Sequence, residues 1–403
     1  MLANVIVTGL GLVRTPLMTW VLPKDEVGML GVVASWLPFI QLLSFPGLDA
    51  ASYHYIAKGQ RWAFAVNLAY RLRWSLVSAL ALLGGAAYWT WQNEPVLAWM
   101  FVVAGLSFPL ANGLSAVSGT LGAQEQFKAL FWYRLLESLT DFTGFIPLLF
   151  STWWLSHVLT FYGFNQLATA VMLSIYSAWL WRQLRAQKVQ PMPAHDKRLR
   201  SEMLRYGKHQ TALVAIGVAQ NRTDALLVGV FLSLNTMADY SIALLVYEQF
   251  RRLWMIYLSV RYPPLVRLPE RQRRRRILYE GLLVWAGFAF SAAALYLLAH
   301  WLIPLILPPN YASSIVYIGW LAAIFVVGIP GFLAETYFRT RQDEKSQYLL
   351  RITAAIFGVA LPALLLPTWG IIGVMAGRFL ASLILSLCGT ALFVYVNKRD
   401  RQT

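Results

Sequence analysis

The sequence predicts an all-α integral membrane protein of about 12 transmembrane helices, arranged as two six-helix halves. Three observations predict it: sustained hydrophobicity, one-sided basic residues and a spaced repeat. Of the 403 residues 58% are hydrophobic, and mean hydropathy is +0.54, above the roughly half expected of a soluble domain. A hydrocarbon core of about 30 Å takes roughly 20 apolar residues per helical crossing. Runs of that length fall near 1–21, 27–48, 74–91, 96–116, 129–150 and 160–182, and again near 208–231, 237–259, 278–303, 312–336, 347–367 and 370–395. Met1 runs straight into the first of them with no basic leader and no small-residue cleavage site, which predicts a retained helix.

Threading these helices with both termini on one side separates the charges. That side receives Lys58, Arg61, Arg71 and Arg73; then Arg182 to Arg205; then Arg261, Arg267, Arg271 and Arg273 to Arg276; then Arg339, Arg341 and Lys345; and finally Lys398, Arg399 and Arg401. The opposite turns, around Pro23, Glu94, Ser156, Asn235, Pro308 and Pro367, contain only Lys24. The net charge of +16 is therefore read as orientation, with the basic side cytoplasmic. Trp89, Trp91, Trp153, Trp154, Trp301 and Trp369 cluster at the far helix ends, where amphipathic rings prefer the interface.

The repeat appears as Arg14-Thr15 in the first helix, echoed by Arg222-Thr223 in the seventh. Tyr162-Gly163 and Trp369-Gly370 open the sixth and twelfth. The interval from 14 to 163 is 149 residues and that from 222 to 370 is 148. Two halves with the same even helix count share one orientation, related by a pseudo-twofold axis along the membrane normal. The predicted division is a lobe over 1–183, a basic cytoplasmic linker over 184–206 carrying Pro191 and Pro193, and a lobe over 207–403.

Charges at bilayer depth cost at least about 2.5–3.5 kcal/mol on insertion scales, so they mark candidate sites. Arg14 and Arg222 are deep and repeat-related, and planar guanidinium forks suit phosphate oxygens. They are candidates for binding an anionic group, or else for internal ion pairs, such as Arg222 with Asp224 or with a carboxylate on another helix. Arg378, Arg251 and Arg252 are secondary binding candidates. Arg134, Glu137 and Asp141 share one helical face. Arg134 pairs naturally with Glu137, while Asp141, Glu248, Asp224 and Glu137 are candidates for ion coupling. The plainer expectation for Glu248 is an i, i+4 pair with Arg252 that leaves Arg251 over. Arg273 to Arg276 reads as topology, with contact to anionic lipid as a by-product.

An enzyme of envelope glycan assembly is the rival class. The five histidines lack metal-binding spacing, no G-x-S-x-G nucleophile is present, and Cys388 is the sole cysteine. No catalytic residue, cofactor, metal or nucleic-acid partner is predicted.

Several short motifs carry a family resemblance: Leu22-Pro23-Lys24-Asp25-Glu26-Val27-Gly28 after helix one, and Asp224 with Leu226-Leu227-Val228-Gly229 in helix seven. Ala238-Asp239-Tyr240-Ser241-Ile242-Ala243, Asn310-Tyr311-Ala312 and Trp369-Gly370-Ile371-Ile372-Gly373 open helices eight, ten and twelve. In this order the chain resembles the polysaccharide transporters of the superfamily that also holds multidrug extruders and lipid II flippases. Asp239 stands where relatives usually carry Gly. The resemblance implies two lobes around a central cavity. It further implies flipping of undecaprenyl-diphosphate-linked oligosaccharide, an O-antigen or exopolysaccharide unit, across the bacterial inner membrane by ion-coupled alternating access. A proton or sodium is the expected coupling ion, and a polymerase and glycosyltransferases are candidate partners. Drug extrusion and lipid II flipping are the alternatives. A cavity for cationic drugs should be acidic, and the excess of deep arginines favours an anion.

Overall fold

The computed structural model describes residues 2–60, 62–148, 156–186, 197–341 and 343–399. All regular elements among them are helices, apart from one 3-10 turn at Pro309–Tyr311. The chain divides into two compact units, Met1–Ala215 and Ile216–Thr403.

The first unit holds α1 (Leu2–Val21), the broken pair α2 (Lys24–Leu42) and α3 (Gly47–Ala57), then α4 (Trp62–Trp91), α5 (Pro95–Ala111) and α6 (Ala116–Ala123). It continues with α7 (Phe127–Thr140), the short α8 (Phe145–Leu148), α9 (His157–Ala186) and the start of α10 (Lys197–Phe231). The second unit takes over within α10 and adds α11 (Leu234–Arg267), α12 (Glu270–Ile306), α13 (Ser314–Thr340) and α14 (Glu344–Arg399).

Among the described residues six helices are long and apolar enough to cross a membrane, and α2 with α3, bent by 58°, makes a seventh if the pair is one span. Most other segments carry the intramembrane charges: Arg14 in α1, Arg71 in α4, Glu137 in α7, Glu248 in α11. The 56 residues of α14 contain a break at Gly370 (φ 55, ψ −132), so two arms occupy one continuous element. With α2/α3, α5/α6 and α7/α8 each taken as one interrupted helix, the twelve predicted segments are all present, and the protein is a multi-pass membrane protein. Its outward surface is that of a lipid solute: Leu282, Leu283, Phe290, Leu297 and Leu305 of α12 are all exposed.

Several boundaries differ from hydropathy. The third helix starts at Trp62, not near 74, so Arg71 and Arg73, assigned above to a loop, lie inside α4. Residues 197–206 of the predicted linker are already helix, and Arg273 to Arg276 stand in the first turns of α12 rather than in a loop. The reason is common to all: Lys and Arg are good helix formers, and a backbone ladder continues into water past the point where hydropathy ends. Trp91, Trp301 and Trp369 are exposed at helix ends as anchors should be, but Trp89 is buried, packed near Phe101. Arg61, Trp153, Trp154, Lys188, Pro191, Pro193 and Arg401 lie outside the described residues.

Two glycines set the geometry that matters below. Gly370 adopts a conformation that only glycine holds without strain, turning the chain so that Gly373 and Gly377 meet the backbone of Leu365 and Leu361–Pro362 on the other arm. At the α2–α3 break, Phe45 is left-handed (φ 54) and Gly47 sits against the α10 backbone at Gly207 and Gln210, donating its N–H to Thr211 Oγ1 at 3.1 Å.

Candidate functional site

In the first unit α1 brings Arg14 to the C-terminal end of α7. Its Nη1 is 3.6 Å from Asp141 Oδ2, and its guanidinium carbon is 5.7 Å from the Phe161 ring centroid. The pair is half-open, with 30% of the Arg14 side chain and 47% of the Asp141 side chain exposed. Arg14 Nε is buried without a partner among the described residues. Asp141, which showed no local partner in sequence, thus has one on another helix. Glu137 lies one turn before it and is exposed.

In the second unit α10 and α11 run antiparallel neighbours in sequence, and Arg222 of α10 reaches Glu248 of α11, Nη2 to Oε1, at 2.9 Å. The other carboxylate oxygen is taken by Arg251, whose Nη2 and Nε lie 2.9 and 3.1 Å from Oε2. Glu248 therefore serves two arginines. Arg251, expected to be left over, is thus a partner of Glu248 at i+3. The three side chains keep 31%, 19% and 39% exposure for Arg222, Glu248 and Arg251. Both phosphate candidates are thus ion-paired, the plainer of the two expectations, while remaining reachable.

Asp224 and Arg378 form a different kind of pair. Asp224 lies two residues past Arg222, yet its partner is Arg378 of α14, and both are buried. The Asp224 carboxylate also accepts from the Tyr240 hydroxyl, and the Arg378 guanidinium lies over the Tyr247 ring, 4.7 Å from its centroid. Asp224 Oδ1 is buried and unpartnered among the described residues. Single charges in a hydrophobic interior survive only when matched, and this pair is shut off from solvent. The first-half positions corresponding to Asp224 and Arg378 are Pro16 and Val171. This Asp–Arg pair therefore has no counterpart at the matching first-half positions.

Sequence reasoning missed a second buried arginine. Arg71 of α4 is fully buried against Asp49 of α3, which also accepts from Asn67 Nδ2 at 3.0 Å. It missed Glu335 of α13 as well, which meets Arg351 of α14 at 2.7 Å. A lone acid in the apolar run from Ser314 to Thr340 was the available signal for Glu335. Arg71 offered none, because it stands beside Arg73 in what reads as a basic loop.

Within these two groups of the second unit, Arg222, Arg251 and Arg378 stand against Glu248 and Asp224, an excess of one positive charge. The reachable part of that excess is the Arg222–Glu248–Arg251 group. A shared carboxylate satisfies neither guanidinium fully, since each fork carries five donors. An incoming oxyanion can therefore engage the same guanidiniums and compete with the carboxylate for them.

The model of the family described as "Polysaccharide biosynthesis protein" matches residues 1–268. The fold is that of solved MATE transporters. An inward-facing multidrug resistance MATE transporter superposes with a TM-score of 0.70 at 12% identity, covering 97% of this chain and 96% of that one. A eukaryotic MATE transporter gives 0.62 at 10% identity, covering 97% and 94%. An outward-facing multidrug resistance MATE transporter gives 0.59 at 13%, covering 100% and 95%. No curated protein sequence matches the chain.

Proposed function

Because the chain belongs to the polysaccharide biosynthesis protein family, we propose that it is a flippase that moves an undecaprenyl-diphosphate-linked oligosaccharide between leaflets by alternating access. The observation that carries this reading is the reachable Arg222–Glu248–Arg251 group. Two guanidiniums, one of them on the membrane-length helix α10, share one carboxylate of α11, a positive excess suited to a diphosphate. Arg14 is the corresponding cation of the first lobe, and there Asp141 occupies the guanidinium until an anion arrives. Arg251 and Arg252 extend the cationic face. Arg378 contributes by holding Asp224, and Asp224 itself is engaged by that pair.

Coupling then has a physical route. Substrate phosphate competes with Glu248 and Asp141 for the same arginines, and a carboxylate that loses its cation gains affinity for a proton or sodium. Glu137, one turn from Asp141, adds a second carboxylate for that ion. The proposed lobes are 1–183 and 207–403, joined by a linker over 184–206, with both termini on the cytoplasmic side of the inner membrane. The glycan is an O-antigen or exopolysaccharide unit, with a polymerase and glycosyltransferases as neighbouring activities.

Reconstitution in vesicles with a fluorescent polyprenyl-diphosphate oligosaccharide tests this. Quenching from outside should report translocation by the unaltered chain and at least a tenfold loss in Arg14→Ala/Arg222→Ala. Unchanged translocation in that double variant, or transport of cationic dyes in place of the lipid, would overturn the reading.

A further inference from the structure

The first turns of α10 carry a basic group that none of the ion pairs above uses. Arg200, Ser201, Leu204, Arg205 and Lys208 line an open groove of about 350 Å³. At 100° per residue these five fall within about 140° of one helical face. The groove lies where α10 meets α3 and α4. Gly207 packs on Leu48 of α3, Tyr206 faces His54 with ring centroids 6.2 Å apart, and the Arg200 guanidinium lies 5.5 Å from the Tyr70 centroid of α4. The nearest acid in sequence is Glu202, which Arg198 engages at 3.1 Å, so it does not cancel the groove's three cations.

Depth along α10 specifies the occupant. Its 35 residues exceed what a crossing needs. Counted back from Phe231, about 20 residues fill the hydrocarbon, ending near residue 212. Lys208 then stands about 6 Å, and Arg205 about 10 Å, beyond the hydrocarbon edge. Headgroup zones add roughly 5–8 Å on each side, and any tilt brings the residues shallower. The cations thus reach from headgroup level outward, with Leu204 presenting apolar surface between them.

We propose that this groove binds the phosphate of an anionic phospholipid in the leaflet facing the basic loops. Lys208 and Arg205 contact the phosphodiester, Arg200 adds long-range attraction from above, and the headgroup beyond the phosphate rests on Leu204. The proposal stands apart from the transport reading, because it requires neither Arg14 nor Arg222.

The test uses the full chain in neutral detergent, titrated with phosphatidylglycerol or phosphatidylcholine, with retained lipid counted by native mass spectrometry. Phosphatidylglycerol should be retained at least about fivefold more strongly. Each neutralised cation should cost about fivefold, and Arg200→Gln/Arg205→Gln/Lys208→Gln about a hundredfold. Arg205→Lys and Lys208→Arg should hold lipid as the unaltered chain does. If the triple variant does not fold, the single changes Arg205→Gln and Lys208→Gln, at exposed positions, carry the same reading. Equal retention of the two lipids overturns the proposal, as does unchanged retention in the neutral variants. Displacement by inorganic phosphate as effective as by short-chain phosphatidylglycerol also overturns it, because the site is then one for free phosphate.

Discussion

Removing Arg378 alone should be among the most destabilising single changes in the second unit. In Arg378→Met the Asp224 carboxylate remains buried, with Tyr240 as its remaining donor, and breaking a buried pair from one side costs about 3–5 kcal/mol. Removing Asp224 as Asp224→Asn strands the guanidinium in the same way, eased by its contact with the Tyr247 face. The double variant Asp224→Asn/Arg378→Met leaves no uncompensated charge, so most of the loss should return, with a coupling energy of about 2–3 kcal/mol in the cycle. On a unit of this size, each kcal/mol is worth about 2–4 °C, so either single change should lower the melting temperature by roughly 6–20 °C. Fluorescence-detected size exclusion of heated, detergent-solubilised protein reads this directly. Additive single-variant losses, or shifts under about 2 °C, would refute the assignment of this pair as a structural bolt. If the stabilised double variant also flips lipid, Arg378 is no part of the binding face. If it is stable but inactive, it is.

Arg14→Ala and Asp141→Ala should each change stability by no more than about 1 kcal/mol, because an open pair is screened by solvent. The measurement is the same melting assay, and the changes belong in transport instead. Gly370→Ala should cost about 1–3 kcal/mol, because its backbone lies where a Cβ is strained. A melting shift below 1 °C would count against that geometry. Arg71→Leu should lower the stability of the first unit by about 1–3 kcal/mol, because the partly exposed Asp49 keeps Asn67 and water as donors, whereas exposed Arg73→Leu should cost under about 1 kcal/mol. In a Cys388→Ser background, cysteines placed at Lys345 and Asn235 should label from opposite sides of right-side-out vesicles. Labelling from one side would break the topology.

Hydropathy, charge side and repeat spacing made the helical segments legible, because each is a local property of the chain. What was not legible is what depends on a second helix. Arg14 and Arg222 occupy matching places in the two halves, yet Arg14 meets a carboxylate on α7 and Arg222 meets one on α11. Repeat symmetry in sequence does not extend to partners. Asp224 sits two residues from Arg222, and sequence proximity suggests that pairing. Two residues along a helix is about 200° around it, so the two side chains point apart and find different partners. Arg71 was read as a loop cation because charge alone does not distinguish a solvated arginine from one bolted to Asp49. The Arg251 pairing is finer still: i+3 and i+4 both face Glu248, and spacing alone does not show that the residue at i+3 is taken.

The Asp224–Arg378 pair also has a history within synthesis. Its two members are 154 residues apart, which at about 5–20 residues per second is roughly 8–31 s of elongation. Through that interval α10 carries an acid whose cation has not yet been made, and the tight turn at Gly370 delivers that cation on the last arm of the last helix. The second unit therefore lacks this pair until α14 has been translated. A chain that stops short of α14 leaves Asp224 with the Tyr240 hydroxyl but without its guanidinium, a form that membrane quality control can distinguish from the paired one.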